Sequence, residues 1–149
     1  MSRIKLELPT DFSFSTTIPV RISDINYGGH VGNDSILALI HEARIQFLEH
    51  FGYKELQFGN GGLIMRDVII EFKRELFYGD TVKASVKAGN FSTSSFNLYY
   101  KLEKESAGRL VLITAARTGM VCYDYQSKKI TLLDEEVKAK LSGEQPGEG

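Results

Sequence analysis

The sequence predicts an α+β domain in which an antiparallel sheet of five to six strands wraps around one long central helix. Residues 35–51 repeat their apolar positions at the spacing of a helix that is buried along one wide face. After this helix, four segments alternate apolar and polar residues with the period of a strand, and turns rich in Gly and Asp separate them. One sheet and one apolar helix form a core by packing face to face.

The first strand and the helix meet at a glycine-rich junction. Residues 16–26 alternate and predict a strand that breaks at two consecutive glycines. Asn33 or Asp34 is then the predicted N-cap of the helix, which ends before Gly52. The apolar arc predicted to face the sheet contains Ile36, Ile40, Ala43, Phe47 and Phe51.

The rest of the chain is predicted to be mostly strand. The four segments cover residues 63–76, 81–88, 94–103 and 109–123. Because short turns join them, successive strands are expected to be antiparallel neighbours. A short helix is predicted over 134–141, and 143–149 is expected to be a disordered polar tail. We interpret 1–149 as a single domain with its core over about 14–125.

Composition excludes several classes of protein. The net charge is −1 and no basic block occurs, so neither nucleic acid nor an anionic membrane is an expected partner. The first nine residues carry alternating charges rather than an apolar run, and no segment reaches the length of a membrane span. Cys122 is the sole cysteine and the three histidines show no metal-ligand spacing, so we predict no metal site and a reducing, cytoplasmic location.

The residues that can carry chemistry concentrate where the first strand meets the helix. A carboxylate and an amide are followed by glycines, a histidine and the start of the helix, namely Asp24, Asn26, Gly28, Gly29, His30 and Asn33. A helix N-terminus presents unpaired N–H groups and partial positive charge. Those donors can stabilise the oxyanion formed on a carbonyl group, and a nearby carboxylate can activate water or attack directly.

Four motifs follow one another along the chain: Asp24-x-Asn26-x-x-Gly29-His30-Val31-x-Asn33, Glu42-Ala43-Arg44, Tyr78-Gly79-Asp80 and Ser94-Ser95-Phe96. Together they resemble the signature of the 4-hydroxybenzoyl-CoA thioesterase-like family of hotdog proteins, over roughly residues 14–125. The resemblance implies a homodimer or homotetramer with active sites at the subunit interface. It also implies hydrolysis of acyl- or aryl-CoA thioesters, or of acyl-carrier-protein thioesters, with no cofactor; CoA enters as part of the substrate.

The resemblance assigns candidate roles and shows one departure. The implied catalytic residues are Asp24, Asn26, His30 and Glu42, and the implied substrate-binding residues are Gly29, Val31, Asn33 and Ser94. The family often has a second acid, commonly the catalytic one, at the position of Asn26. Either Asp24, Glu42 or Asp34 replaces that acid, or Asn26 orients water or the thioester, or hydrolysis is weak.

Several residues have a structural interpretation as well. Asp24 can simply cap the following turn, and Glu42 on the polar helix face can simply be solvated. Arg44 lies within the apolar arc and therefore needs a buried carboxylate partner, for which Asp24 and Asp67 are candidates. The candidates for contacts with the CoA phosphates are Lys73, Arg74, Lys101 and Arg109.

Two other functions compete with thioester hydrolysis. Hydratases of the same fold use a resembling Asp-x-Asn-Pro-x-His motif, but here Asp24 and His30 are one residue further apart and the proline is missing. The absent second acid also fits an acyl-CoA-binding module without catalytic activity. Hydration of an enoyl-CoA, or binding without turnover, would separate these alternatives from a thioesterase.

Overall fold

A computed structural model describes residues 5–143 and confirms the predicted α+β hotdog architecture. The elements in chain order are β1 (Phe14–Pro19), a 3₁₀ turn (Ile22–Asp24), α1 (Asn33–His50), β2 (Gly62–Phe72), β3 (Thr81–Gly89), β4 (Ser95–Ser106), β5 (Arg109–Asp124), β6 (Lys129–Ile130) and α2 (Glu135–Ser142). The sheet is antiparallel with strand order β1-β3-β4-β5-β2, and β6 pairs with β5.

Strand β1 is shorter than its alternating pattern suggests. It ends at Pro19, and the chain then turns, since the Asp24 amide donates to the Arg21 carbonyl at 2.9 Å. The apolar alternation continues to Ile22, but this side chain is 69% exposed. The predicted strand over 16–26 is therefore wrong beyond Pro19, because a local turn replaces the ladder.

Strand β2 does not pair with its neighbour in sequence. It pairs with β5 at one edge of the sheet, so the expectation that all four later strands are consecutive neighbours is wrong for β2 and β3. Residues 73–80 are numerous enough to cross the end of the sheet instead of forming a tight hairpin. Within residues 5–143, the other edge of β2 has no partner strand.

Helix α1 packs mainly against β1 and β3 and forms the core with the concave face of the sheet. Ile40, Ala43 and Leu48 are completely buried, as the apolar arc predicts, whereas Phe51 is only partly buried. The short helix α2 forms where expected, with Asp134 as its N-cap, and adds Val137 to the same core. The predicted tail lies outside the described residues except for Gly143.

The start of α1 differs from the prediction. Gly32 is the N-cap, Asn33 is already helical, and no side chain in the described part of the chain caps the helix, so the interpretation of Asn33 or Asp34 as N-cap is wrong. Backbone hydrogen bonds within the protein fix the start of the helix instead. The Val31 amide donates to the Leu76 carbonyl at 2.8 Å, and the Ile36 amide donates to the Gly32 carbonyl at 3.0 Å.

The chain before β1 crosses the convex face of the sheet, which the sequence did not predict. Lys87 pairs with Asp11 at 2.8 Å, and the Lys101 ammonium lies 4.9 Å from the Phe12 ring centre. Further along, the Leu6 amide donates to Glu71 at 3.4 Å, and Leu6 is 8% exposed. The protein thus covers part of its own convex face.

Candidate functional site

The junction before α1 is a compact loop closed by its own hydrogen bonds. The Asn26 amide donates to the His30 carbonyl at 2.9 Å, and Ile25 forms an antiparallel bridge with Val31. The Asn26 side-chain oxygen accepts from the Gly28 amide at 2.9 Å. Gly29 has φ +86°, a conformation that strongly favours glycine. The loop therefore holds His30 and the start of α1 in fixed positions.

A second segment, the residues between β2 and β3, holds this loop from outside. Leu76 accepts the hydrogen bond from Val31, which is 4% exposed, and the His30 Nε2 atom lies 3.7 Å from a Glu75 carboxylate oxygen. The Nδ1 atom of His30 lies 3.2 Å from the Val31 carbonyl oxygen. Both ring nitrogens thus have polar neighbours, and the imidazole is held beside the helix N-terminus.

The N-terminus of α1 is electrostatically open. The amides of Asn33, Asp34 and Ser35 precede the first intrahelical hydrogen bond, and no side chain among residues 5–143 caps them. The helix dipole adds partial positive charge at this point. The arrangement can bind an anion or an oxyanion, with Asn26, Gly29, His30, Val31 and Asn33 placed around it.

Of the three candidate carboxylates, Asp34 is exposed in the first turn of α1, and Asp24 and Glu42 occupy different environments. Asp24 is 4% exposed, and one of its oxygens accepts from the Arg21 amide at 2.9 Å while the other lies 3.4 Å from the Arg21 guanidinium. Asp24 therefore closes its own turn. Glu42 is exposed on α1 and accepts a hydrogen bond from the Gln46 amide group at 3.1 Å. Of the two, Glu42 is the carboxylate that a ligand can reach.

Ser94 lies at the opposite end of the sheet from the start of α1. Its carbonyl accepts from the Cys122 amide at 2.8 Å, beside the first residue of β4. The helix N-terminus instead contacts Leu76, beyond the last residue of β2. Because β2 and β4 run in the same direction in this sheet, one protomer does not bring Ser94 to the helix start.

Arg44 has a partner that the sequence did not reveal. Its Nε atom donates to Glu55 at 2.9 Å and its Nη1 atom donates to the Tyr100 hydroxyl at 3.3 Å. The prediction of Asp24 or Asp67 as partner is wrong: Asp24 binds Arg21, and Asp67 pairs with Gly119 on the convex face. Glu55 was missed because it lies in an irregular segment with no periodic signal.

The Arg44 contacts continue into the core. The Tyr100 hydroxyl lies 2.8 Å from the Thr118 hydroxyl, and both residues are fully buried. Burial raises the pKa of the Tyr100 phenol, although the Arg44 guanidinium opposes this shift. At the surface, His41 lies 3.3 Å from Glu55. We call Glu55, Arg44, Tyr100 and Thr118 the buried polar chain.

Two clefts adjoin these features. One, of about 390 Å³, lies along the exposed side of α1 between His41, Ile45 and the segment Tyr53 to Leu56. The other, of about 640 Å³, is lined by Lys73, Arg74, Arg109, Leu110, Val111 and Leu112. In residues 5–143, no group of three or more His, Cys, Asp or Glu side chains is arranged to hold a metal ion.

Comparison with known proteins identifies the family. The family model described as the thioesterase-like superfamily matches residues 20–141. The chain belongs to the thioesterase-like superfamily. A 1,4-dihydroxy-2-naphthoyl-CoA hydrolase from Thermosynechococcus vestitus is 30% identical over 125 residues, which cover 82% of this chain and 84% of the relative. The predicted membership of the hotdog thioesterases, and with it the class of thioester hydrolase, is confirmed.

Solved structures of other members support the same fold. The 1,4-dihydroxy-2-naphthoyl-CoA thioesterase from Synechocystis is 20% identical, with a TM-score of 0.76 over 86% of this thioesterase and 94% of that chain. A mutant of 4-hydroxybenzoyl-CoA thioesterase complexed with 4-hydroxybenzoyl-CoA is 13% identical, with a TM-score of 0.77 over 87% and 98% of the two chains. Within residues 5–143 of this thioesterase, no helix has the length and apolar character to cross a membrane.

Proposed function

We propose that this thioesterase hydrolyses an aryl- or acyl-CoA thioester whose carbonyl oxygen binds at the N-terminus of α1. The uncapped first turn beside Asn26 and His30 is the observation that carries the proposal. The relative from Thermosynechococcus vestitus is named for a hydroxylated aromatic acyl group, so bulky aryl-CoA thioesters are the first substrates to test.

The reaction assigns a separate task to each group. A carboxylate takes a proton from water, and the resulting hydroxide attacks the thioester carbon. The first-turn amides of α1 then stabilise the negative charge that develops on the carbonyl oxygen. The C–S bond breaks, the CoA sulfur receives the proton, and a carboxylic acid leaves. Asn26 and His30 orient the water and the thioester at this helix end.

We propose Glu42 rather than Asp24 as the base, because Asp24 is already bound to Arg21 and shielded from solvent. Glu42 lies nine residues after Asn33, about 13.5 Å along a helix axis. One protomer therefore separates the proposed base from the proposed oxyanion site. A second copy of the chain that brings its own Glu42 to the helix N-terminus would complete the site.

A homodimer, either alone or within a homotetramer, is supported by the unpaired edge of β2 and its exposed apolar side chains. Met65, Val68 and Phe72 are 41%, 36% and 48% exposed. Val68 and Phe72 pair with Thr118 and Thr114, which are fully buried on the face turned toward α1. Within residues 5–143 both β1 and β2 are edge strands, and β2 is the longer one and carries these exposed apolar side chains, so we propose β2 as the edge that pairs with a partner.

Antiparallel pairing of two β2 edges about a two-fold axis would place opposite ends of the two sheets beside each other. The helix N-terminus of one protomer would then lie on the side where its partner carries Ser94. Such a dimer would bring the partner's Ser94 toward the site, whereas a single protomer keeps Ser94 at the opposite end of the sheet. We propose a reaction without a bound cofactor and a cytoplasmic location for the protein.

The activity is tested by thiol release from a panel that contains 1,4-dihydroxy-2-naphthoyl-CoA, 4-hydroxybenzoyl-CoA, aliphatic acyl-CoAs and an acyl-carrier-protein. We expect turnover of at least one aryl-CoA thioester. No release above background from any of them by folded dimeric protein would contradict the proposal.

The shared site is tested by complementation. Glu42→Gln and His30→Ala protomers, each inactive alone, are co-expressed with different tags and the mixed dimer is purified. A mixed dimer keeps one site that contains both wild-type residues if Glu42 acts across the interface, so activity returns to about half. If both residues act within one protomer, the Glu42→Gln subunit and the His30→Ala subunit each remain inactive.

A further inference from the structure

The cleft beside the end of β2 is lined by three basic side chains and by apolar residues of β5. The basic residues are Lys73, Arg74 and Arg109, and the apolar ones include Leu110. Leu110 is 47% exposed, so this apolar side chain is accessible. Lys73 lies 3.4 Å from Glu71, but neither Arg74 nor Arg109 has an ion pair or side-chain hydrogen bond within residues 5–143. Two guanidinium groups therefore lie in one cleft without a counter-charge.

The backbone fixes where this cleft lies. The Lys73 and Arg74 amides both donate to the Ile113 carbonyl, at 2.8 and 3.2 Å, as β2 leaves β5. Beyond that point β5 pairs with β4 but has no β2 partner, so the strip Arg109 to Leu112 has one free edge. Arg109 thus lies on β5, and the backbone of Lys73 and Arg74 is held to the same strand by these hydrogen bonds.

The segment between β2 and β3 joins the cleft to the candidate active site. Arg74 is followed directly by Glu75, which lies 3.7 Å from His30, and then by Leu76, which accepts from the Val31 amide. A ligand that spans both places has its charged end at the cleft and its reacting end at the start of α1.

We propose that the Arg74–Arg109 cleft binds the phosphorylated nucleotide end of the CoA substrate, with the guanidinium groups on phosphate and the adenine over the apolar strip of β5. This proposal rests on the proposed thioesterase function and adds the substrate-binding residues for the CoA end. Arginine suits this role because its planar fork matches phosphate geometry. A concave cleft of about 640 Å³ fits a compact nucleotide better than the surface of an acyl-carrier-protein.

The structure distinguishes among the four basic residues that the sequence offered as candidates for contacts with the CoA phosphates. Lys101 lies on the convex face over Phe12 and 3.9 Å from Glu103, so it belongs to a different surface. Lys73, Arg74 and Arg109 all line the cleft, but Lys73 already lies 3.4 Å from Glu71.

Binding of CoA itself tests the proposal without requiring turnover. Calorimetric titration of the full-length dimer with CoA compares wild type, Arg74→Ala, Arg109→Ala and the double variant. We expect Kd to rise about tenfold for each guanidinium removed, as for the loss of one charge-assisted hydrogen bond. The double variant Lys83→Ala/Lys129→Ala removes the same charge from exposed sites elsewhere and should bind CoA like wild type.

Kinetics then separates the nucleotide end from the rest of the substrate. The ratio of kcat/KM for an acyl-CoA to that for its N-acetylcysteamine thioester, which has no nucleotide, should fall about tenfold per arginine. CoA and dephospho-CoA differ only in the 3′-phosphate, so they are compared as competing ligands. Weaker competition by dephospho-CoA indicates that the 3′-phosphate is recognised, and equal competition indicates the diphosphate.

Two results would overturn the assignment. One is an unchanged Kd for CoA in folded Arg74→Ala and Arg109→Ala proteins; the other is a loss confined to acyl-carrier-protein thioesters. These outcomes differ from failure of the thioesterase proposal, in which wild type binds CoA through the two arginines but releases no thiol from any substrate.

Discussion

The polar groups at the start of helix α1 and those in its middle differ in whether they are paired. At its start, the first-turn amides have no cap, and the glycine loop before them is exposed. In its middle, Arg44 is 7% exposed and bonded to both Glu55 and Tyr100. An open helix end costs little where water can reach it, whereas a buried charge is tolerated only when it is paired. The difference leaves the first-turn amides open to a ligand and fixes the middle of the helix to the rest of the fold.

The largest expected effect concerns the proposed base. Glu42→Gln should lower kcat by about a thousandfold, because general-base catalysis typically contributes 10²–10⁴. Stability should change by less than about 0.5 kcal/mol, since the residue is exposed. Steady-state kinetics with an aryl-CoA checks this, with Glu49→Gln, two turns further on the same helix face, as the matched control. A full loss of activity in Asp24→Asn with Glu42→Gln still active would transfer the role to Asp24.

The next effect concerns the middle of the helix. Arg44→Met should destabilise the protein by about 2 kcal/mol, because it removes the charged hydrogen bonds to Glu55 and to the buried Tyr100 hydroxyl, which keeps its contact with Thr118. Urea unfolding monitored by circular dichroism measures the change. His41→Ala, which removes only the exposed end of the same cluster, should cost less than about 1 kcal/mol. Equal losses in both variants would show that the buried polar chain is not what stabilises this region.

A smaller change in activity is expected where the sequence departs from its family. Asn26→Asp places a carboxylate beside the helix N-terminus while keeping an acceptor for the Gly28 amide. We expect kcat to rise by about tenfold, less than the 10²–10⁴ of general-base catalysis, because Glu42 already serves as the proposed base. The assay is the same thiol-release measurement at matched enzyme concentration. An unchanged rate in a folded variant would mean that position 26 does not contact the reacting water.

The smallest effect is a dependence on alkaline pH. Tyr100→Phe should cost about 1 kcal/mol at pH 7 through lost hydrogen bonds to Arg44 and Thr118. Burial raises the pKa of Tyr100, so the native state keeps a proton that the unfolded chain releases above about pH 10. Wild type therefore loses this stability as pH rises above about 10, and the gap to Tyr100→Phe narrows. Denaturant titrations at pH 7 to 11 test this, with Tyr99→Phe as control; a widening gap would contradict it.

The sequence by itself determined most of the elements and the grouping of candidate site residues just before α1. The apolar arc of α1 and the alternation of β3, β4 and β5 depend only on local periodicity, and each formed close to its predicted bounds. The order Asp24, Asn26, Gly29, His30 before a helix placed the candidate site, because residues so close in sequence cannot separate far in space.

Tertiary structure decided everything that joins distant parts of the chain. Pairing of β2 with β5, the Glu55 partner of Arg44, the helix start set by Leu76 and the meeting of Arg74 with Arg109 all depend on contacts between residues remote in sequence. Local patterns carry no information about such contacts, since the free energy that selects them comes from burial and pairing across the whole fold.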